Sequence, residues 1–194
     1  MCRRFDPARP VPEPVVDELL DLASRAPSAG HTQGWEFLVL TAEPDRERFW
    51  RSTTVPEGPP DAWLSGVRPA PVLVLALSDP QAYLERYAEA DKGWTDRSLE
   101  RWPVGYWDTD TAMAAMILLL AAQERGLGAL FFGVPAAAHH AVHSALAIPE
   151  RLRIVGVVAL GHPDPHRPTP RSRSLARGRR GLAEIVHRGR FGTR

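Results

Sequence analysis

The sequence predicts a sheet layered with helices, folded as one domain over residues 1–194. Three observations carry this. Short apolar runs rich in β-branched residues alternate with longer segments of helical period. Two of those runs, PVLVLALS (Pro71–Ser78) and RIVGVVALG (Arg153–Gly161), are almost continuously apolar, as expected of strands covered on both faces. With 194 residues and 44% hydrophobic content, the chain can bury a core of one ordinary domain.

From the N-terminus, PEPVVDELLDLASRA places Val15, Leu19, Leu22, Ala23 and Ala26 at helical spacing from Pro12 to Ala26, and Pro27 stops that helix. EFLVLT (Glu36–Thr41) reads as a strand, and Pro44 opens a short helix through Phe49 and Trp50. The run VPEGPP (Val55–Pro60) is a loop. After the strand Pro71–Ser78, a polar helix is expected from Asp79 through Glu89. The segment Asp91–Asp108 has no clear period and carries Trp94, Trp102, Tyr106 and Trp107. Asp108 or Asp110 is a candidate cap for the next helix, TAMAAMILLLAAQERG, which is apolar on most sides and ends at Gly126. ALFFG (Ala129–Gly133) is a strand running into a turn, Pro135–Ala147 a helix, and Arg153–Gly161 a fourth strand. A Pro- and Arg-rich extended tail, about 162–194, follows with a short helix near Leu182–His187.

Composition excludes several classes. A net charge of +1 provides no bulk attraction for nucleic acid or membranes. Cys2 is the only cysteine, which rules out an internal disulfide framework and fits a reducing cytosol, so a cytoplasmic location is expected. No apolar h-region follows the basic start, and the longest apolar run, Ala112–Ala122, is too short to span a bilayer. The tail from Arg167 onward is strongly basic, yet lacks the interleaved aromatics and motifs of a nucleic-acid binder. His139 and His143 stand one helical turn apart, a spacing that suits a metal. No acidic partner is placed beside them by sequence, and an exposed helix face accounts for them better, so no metal is expected.

The stretch RAPSAGHTQGWEF, Arg25–Phe37, is longer and more backbone-exposing than a helix-to-strand link requires. Taken with MCRRFDPARPVP, AAQERGLGALFFG and VGVVALGHPDP, in that order and spacing, it resembles the FMN-dependent nitroreductase family across nearly the whole chain. The resemblance implies an α+β sandwich around a mixed central sheet, an intertwined homodimer, and two FMN molecules at the subunit interface. In the family, the loop after the early helix lies against a flavin held largely by the partner subunit, and Pro27, Ser28 and Ala29 match those positions. Small residues there suit a flat ring that needs close van der Waals contact.

The resemblance also assigns the other flavin contacts. Arg3 matches the basic residue that approaches the pyrimidine and ribityl side, where a cation favours the charge accumulating near N1 and C2=O on reduction. Phe132 and Gly133 match the turn that offers backbone N–H groups to N5 and O4, the glycine allowing an unusual φ and leaving the ring edge unobstructed. Arg177 and Arg179 match a basic-x-basic clamp for the dianionic phosphate. Three departures stand out. The residues that members carry just before the Cys2 position have no counterpart ahead of Met1: either Met1 is an internal methionine of a longer product, or, if the chain is complete, part of the phosphate site and dimer interlock is missing. His31 replaces a frequent asparagine. Trp63 falls roughly where another asparagine is usual.

No side chain is expected to be catalytic in itself. The implied activity is ping-pong hydride transfer from NADH or NADPH, through flavin N5, to a small electron-poor acceptor such as a nitroaromatic or quinone. The aromatic segment Asp91–Asp108 is a candidate acceptor wall, or else packs against the core helix. A flavin-binding protein without turnover, with a storage, sensing or interaction role, is the second reading.

Overall fold

The computed structural model describes residues 1–53, 61–167 and 176–193; the expected loop Val55–Pro60 and part of the extended tail lie outside these residues. Four strands, β1 (Trp35–Leu40), β2 (Val72–Ser78), β3 (Gly128–Phe132) and β4 (Arg153–Gly161), form a sheet ordered β1-β2-β4-β3. Every pairing among them is antiparallel. The α+β class therefore holds, while the mixed character implied by the resemblance is not expressed among the described strands.

The two apolar runs form the two central strands, and their side chains divide by parity. Leu73, Leu75 and Leu77 of β2 join Val157 and Ala159 of β4 on one face, packed with Phe49, Trp50, Val142 and Ile148. Val72, Val74 and Ala76 join Val158 and Leu160 on the other, packed with Leu19, Ala23, Ala115, Leu118 and Ala122. The first face is covered by α2 (Glu43–Thr53) and α6 (His139–Leu146), the second by α1 (Glu13–Ser24) and α5 (Tyr106–Glu124). A period of two with both sets apolar demands two covering layers.

Local signals set most boundaries. Asp79 caps α4 (Pro80–Ala88), its Oδ1 accepting from the N–H groups of Gln81 and Ala82 at 3.0 and 3.4 Å. Gly126, at φ +70°, takes the left-handed turn after α5 that a side chain would resist. The expected helix Pro135–Ala147 is instead a 3₁₀ turn, Ala136–Ala138, followed by α6. The cap of α5 also differs from expectation. The helix begins at Tyr106 behind Gly105, so Asp108 and Asp110 lie inside it and spend their carboxylates on tertiary contacts.

The N-terminal segment crosses one end of the molecule as an extended strap. Cys2 N–H donates to Ala129 O at 2.9 Å, Phe5 N–H to Gly66 O at 3.2 Å and Asp6 N–H to His162 O at 2.9 Å. Phe5, 1% exposed, pins the strap to the core. The short helix α3 (Leu64–Val67) supports it, and a Cβ on Gly66 would stand 2.2 Å from the Arg3 carbonyl oxygen.

Leu118 is fully buried where α5 meets the sheet, whereas Leu182, on the short tail helix α7 (Leu182–Ile185), is 75% exposed. Leu118→Ala should lower unfolding free energy by about 2–5 kcal/mol, and Leu182→Ala by no more than about 0.5 kcal/mol in the monomer. Denaturant titration of the two variants checks this.

Candidate functional site

The residues singled out from the sequence fall into three groups. The first is assembled around α3. Its Gly66 receives the Arg3 backbone, while Trp63 at its start lies edge-on to Phe132, with ring centroids 5.4 Å apart. Trp50 of α2 stacks on the same Phe132 at 5.7 Å and 10°. These three rings, with Leu64, Gly133 and Val134, line a pocket of about 210 Å³. The Arg3 backbone and the Phe132 ring thus both adjoin α3 and its first residues, a helix that the sequence reading did not single out. Gly133 is not in the left-handed region, contrary to the expected unusual φ. A Cβ there would meet no atom of the described residues within 4 Å, so among them the glycine keeps a space open and relieves no backbone strain.

The second group is the loop Pro27–Gly34, which contains the 3₁₀ turn Ala29–His31 and leads into β1. Gly30, His31 and Gln33 have φ values of 62°, 54° and 54°. Such backbone persists only where its surroundings over-determine it. Ser28 Oγ accepts from Gln33 N–H at 2.9 Å, and Thr32 Oγ1 donates to Ala29 O at 2.6 Å. Gly30 O accepts from Arg86 Nε at 2.9 Å, and a Cβ at Gly30 would stand 2.8 Å from the Tyr87 ring. Ala29 N–H donates to Asp110 Oδ2 at 2.8 Å, and the same oxygen accepts from Tyr83 Oη at 2.8 Å. Burial, then the Asp110 hydrogen bond, pushes Tyr83 ionisation far above its ordinary range. His31 is exposed, and its left-handed backbone explains the exchange with asparagine, because both residue types are enriched there.

The aromatic segment packs behind this loop. Trp102 contacts Tyr83, Tyr87, Trp94, Tyr106 and Trp107 with centroid distances of 4.6–6.0 Å. Arg86 ties the cluster to the loop, holding Asp91 with two bonds of 2.7 and 2.8 Å and keeping that carboxyl below its ordinary range.

The third group is Arg177 and Arg179, both exposed and without a hydrogen-bond or ion-pair partner among the described residues. The described stretch does not bring them to either of the other groups. His139 and His143 border a separate surface hollow with Asp108 and Glu150, and His139 Nε2 lies 3.2 Å from Val134 O. Among the described residues, no cluster of three or more metal-ligating side chains is gathered. No described helix is long and apolar enough to cross a membrane.

The loop and the Phe132–Gly133 turn lie at opposite edges of the sheet, while Arg3 and Gly66 sit toward the end where Val72 pairs with Leu160. Trp35, following the loop, pairs with Ser78 on β2, and Ser78 pairs with Arg153 of β4, whereas Phe132 ends the far edge strand and pairs with Val157. Three strand spacings, about 14 Å, separate the two edges.

Comparison with known proteins settles the lineage: residues 1–162 match the Nitroreductase family. The chain belongs to the nitroreductase family. A Methanothermobacter thermautotrophicus relative carrying the name "Putative NADH dehydrogenase/NAD(P)H nitroreductase" is 31% identical over 157 residues, 80% of this chain and 69% of that protein. The fold matches an FMN-dependent nitroreductase from Clostridium difficile with a TM-score of 0.66 at 19% identity, covering 98% of this chain and 94% of that one. An FMN complex from Desulfovibrio desulfuricans matches with a TM-score of 0.68 at 25% identity, over 95% and 88% of the two chains. In this chain, Gly66, Tyr83, Arg86 and Asp110 support the two regions and were not singled out as site residues from the sequence. Asp110 alone left a local signal, as one of the few polar residues within an apolar helical run.

His31→Asn should leave stability near that of the parent protein. His31→Val, with a β-branched residue at φ 54°, should cost about 1–2 kcal/mol. Thermal melts of both variants measure the difference.

Proposed function

We propose that this chain is an FMN-dependent NAD(P)H oxidoreductase of the nitroreductase type, working as a homodimer with flavin between subunits. The observation that carries the reading is the face running from Arg3 through Gly66 and Trp63 to Phe132, closed by the open space at Gly133. A ring edge needs close approach to backbone, and here a glycine leaves that approach unobstructed without being required by its own φ. Family membership and the FMN present in the Desulfovibrio relative support the same cofactor.

When bound, FMN would supply the redox chemistry, accepting a hydride from NAD(P)H and passing reducing equivalents to an electron-poor acceptor. This chain's residues would hold and tune it. The Arg3 guanidinium would face the pyrimidine side and favour negative charge there. Backbone N–H groups at Phe132 and Gly133 would meet the opposite edge. Arg177 and Arg179, which have no partner in the described chain, would fork onto the phosphate. Pro27, Ser28, Ala29 and His31 of a second copy would cover the ring, because the loop of the same chain lies at the other edge of the sheet.

A second copy also answers to the exposed side of α5. Tyr106, Met113, Met116 and Leu120 follow one helical stripe and are 40%, 37%, 52% and 58% exposed. An apolar stripe of this length on the outer side of a core helix suits an interface between copies.

The purified protein should take up FMN, and its flavin absorbance should bleach on anaerobic addition of NADPH or NADH. Gly133→Val should fold with an unchanged melting temperature, since its side chain meets no described atom within reach of Cβ, yet lose most of its FMN affinity. Failure of the parent protein to bind FMN would overturn the reading. Bleaching without transfer to nitroaromatic or quinone acceptors would favour a flavin-binding role without turnover.

A further inference from the structure

We propose that Asp110, acting with Tyr83, is the positioning residue that sets the Ser28–His31 turn for flavin, an inference that rests on the flavin reading above. Asp110 is 1% exposed near the start of a largely apolar helix, a setting in which a carboxylate is costly unless its hydrogen bonds are fixed. Its Oδ2 accepts from both the Ala29 N–H and the Tyr83 hydroxyl, each at 2.8 Å. Other contacts also dock the helix. The neighbouring Asp108 already ties α5 to β2 through the Ser78 hydroxyl at 2.7 Å, and Ala114, Ala115 and Leu118 bury its apolar face.

Tyr83 serves the loop at both ends. Its hydroxyl fixes the oxygen that receives Ala29, and its ring fills the space where a Cβ on Gly34 would stand 2.5 Å away. The three left-handed residues between these points are thus held from beneath by Asp110 and Tyr83, and from the side by Arg86 on Gly30 O. Two consequences follow for the ligand. The Ala29 N–H is already committed, so this turn meets flavin through the surfaces of Pro27, Ser28 and Ala29 and not through that donor. Freeing Ala29 would also let the strained turn relax, moving the surface on which ring contact depends.

The test compares Asp110→Leu, Asp110→Asn, Tyr83→Phe and, as a control, Ser78→Ala, which removes a part-buried hydrogen bond from β2 to Asp108 of the same helix and leaves the bonds of Asp110 in place. FMN dissociation constants and the visible circular dichroism of bound FMN are measured with each full-length protein. Amide exchange of segment 28–33 is measured on the flavin-free form. Asp110→Leu should weaken FMN roughly tenfold or more, alter the flavin dichroism and speed exchange of the segment. Asp110→Asn, whose amide oxygen still accepts both donors, should recover most of the affinity, and Tyr83→Phe should fall between. Ser78→Ala should lower the melting temperature while leaving the dissociation constant and dichroism at parent values. Equal loss of FMN in Ser78→Ala and Asp110→Leu would overturn the inference, because general destabilisation would then explain both. Parent-like affinity and dichroism in Asp110→Leu would overturn it alone. A parent protein that binds no FMN would overturn the flavin reading first, and this inference with it.

Discussion

Everything in this fold follows from two strands that are apolar on both faces. β2 is buried along its whole length and β4 along nearly all of it, so neither face of the sheet can meet water. Two helical layers are the physical answer, α1 with α5 on one side and α2 with α6 on the other. With both faces occupied, polar chemistry is displaced to the ends of the strands and to the sheet edges. The loop before β1 and the turn after β3 are placed there by that exclusion. The strand order β1-β2-β4-β3 puts them at opposite edges, which is why the proposed flavin site takes one region from each of two copies.

Each half-site depends on close approach between backbone and neighbours. On the β3 side, Gly66 admits the Arg3 backbone, and Gly133 leaves the space beyond Phe132 open. On the β1 side, Gly30 and Gly34 admit the Tyr87 and Tyr83 rings, and the strained turn is held by Asp110 and Arg86. The aromatic segment 91–108 contributes by packing: its Trp102 cluster stiffens α4 behind the turn. Trp63 adds an indole wall in contact with Phe132 beside the Gly133 turn.

The strands and helices were legible because their signals are local. Apolar runs gave β2 and β4, and Pro27, Asp79 and Gly126 punctuated the helices around them. The start of α5 was misread because Asp108 and Asp110 look like caps, whereas their carboxylates serve Ser78, Tyr83 and Ala29, contacts between residues 27–81 positions apart. Gly133 was read as allowing an unusual φ and leaving the ring edge unobstructed; its φ is not in the left-handed region, and the space beside it is open. Composition and periodicity alone would not have pointed to a flavin. That came from the ordered resemblance of four motifs, and the match over residues 1–162 bears out the family.

The central claim, that one flavin site is built from the Gly133 face of one copy and the Pro27–His31 turn of another, is tested most directly by subunit complementation. Gly133→Val and Pro27→Trp each damage a different half-site, so neither homodimer should bind FMN well. Co-refolded in equal amounts, they should form mixed dimers in which one site carries both lesions and the other none. The account predicts recovery of about a quarter of the parent FMN-binding capacity. Mixed dimers that form but recover no binding would contradict it, because both regions would then serve the same site within one chain.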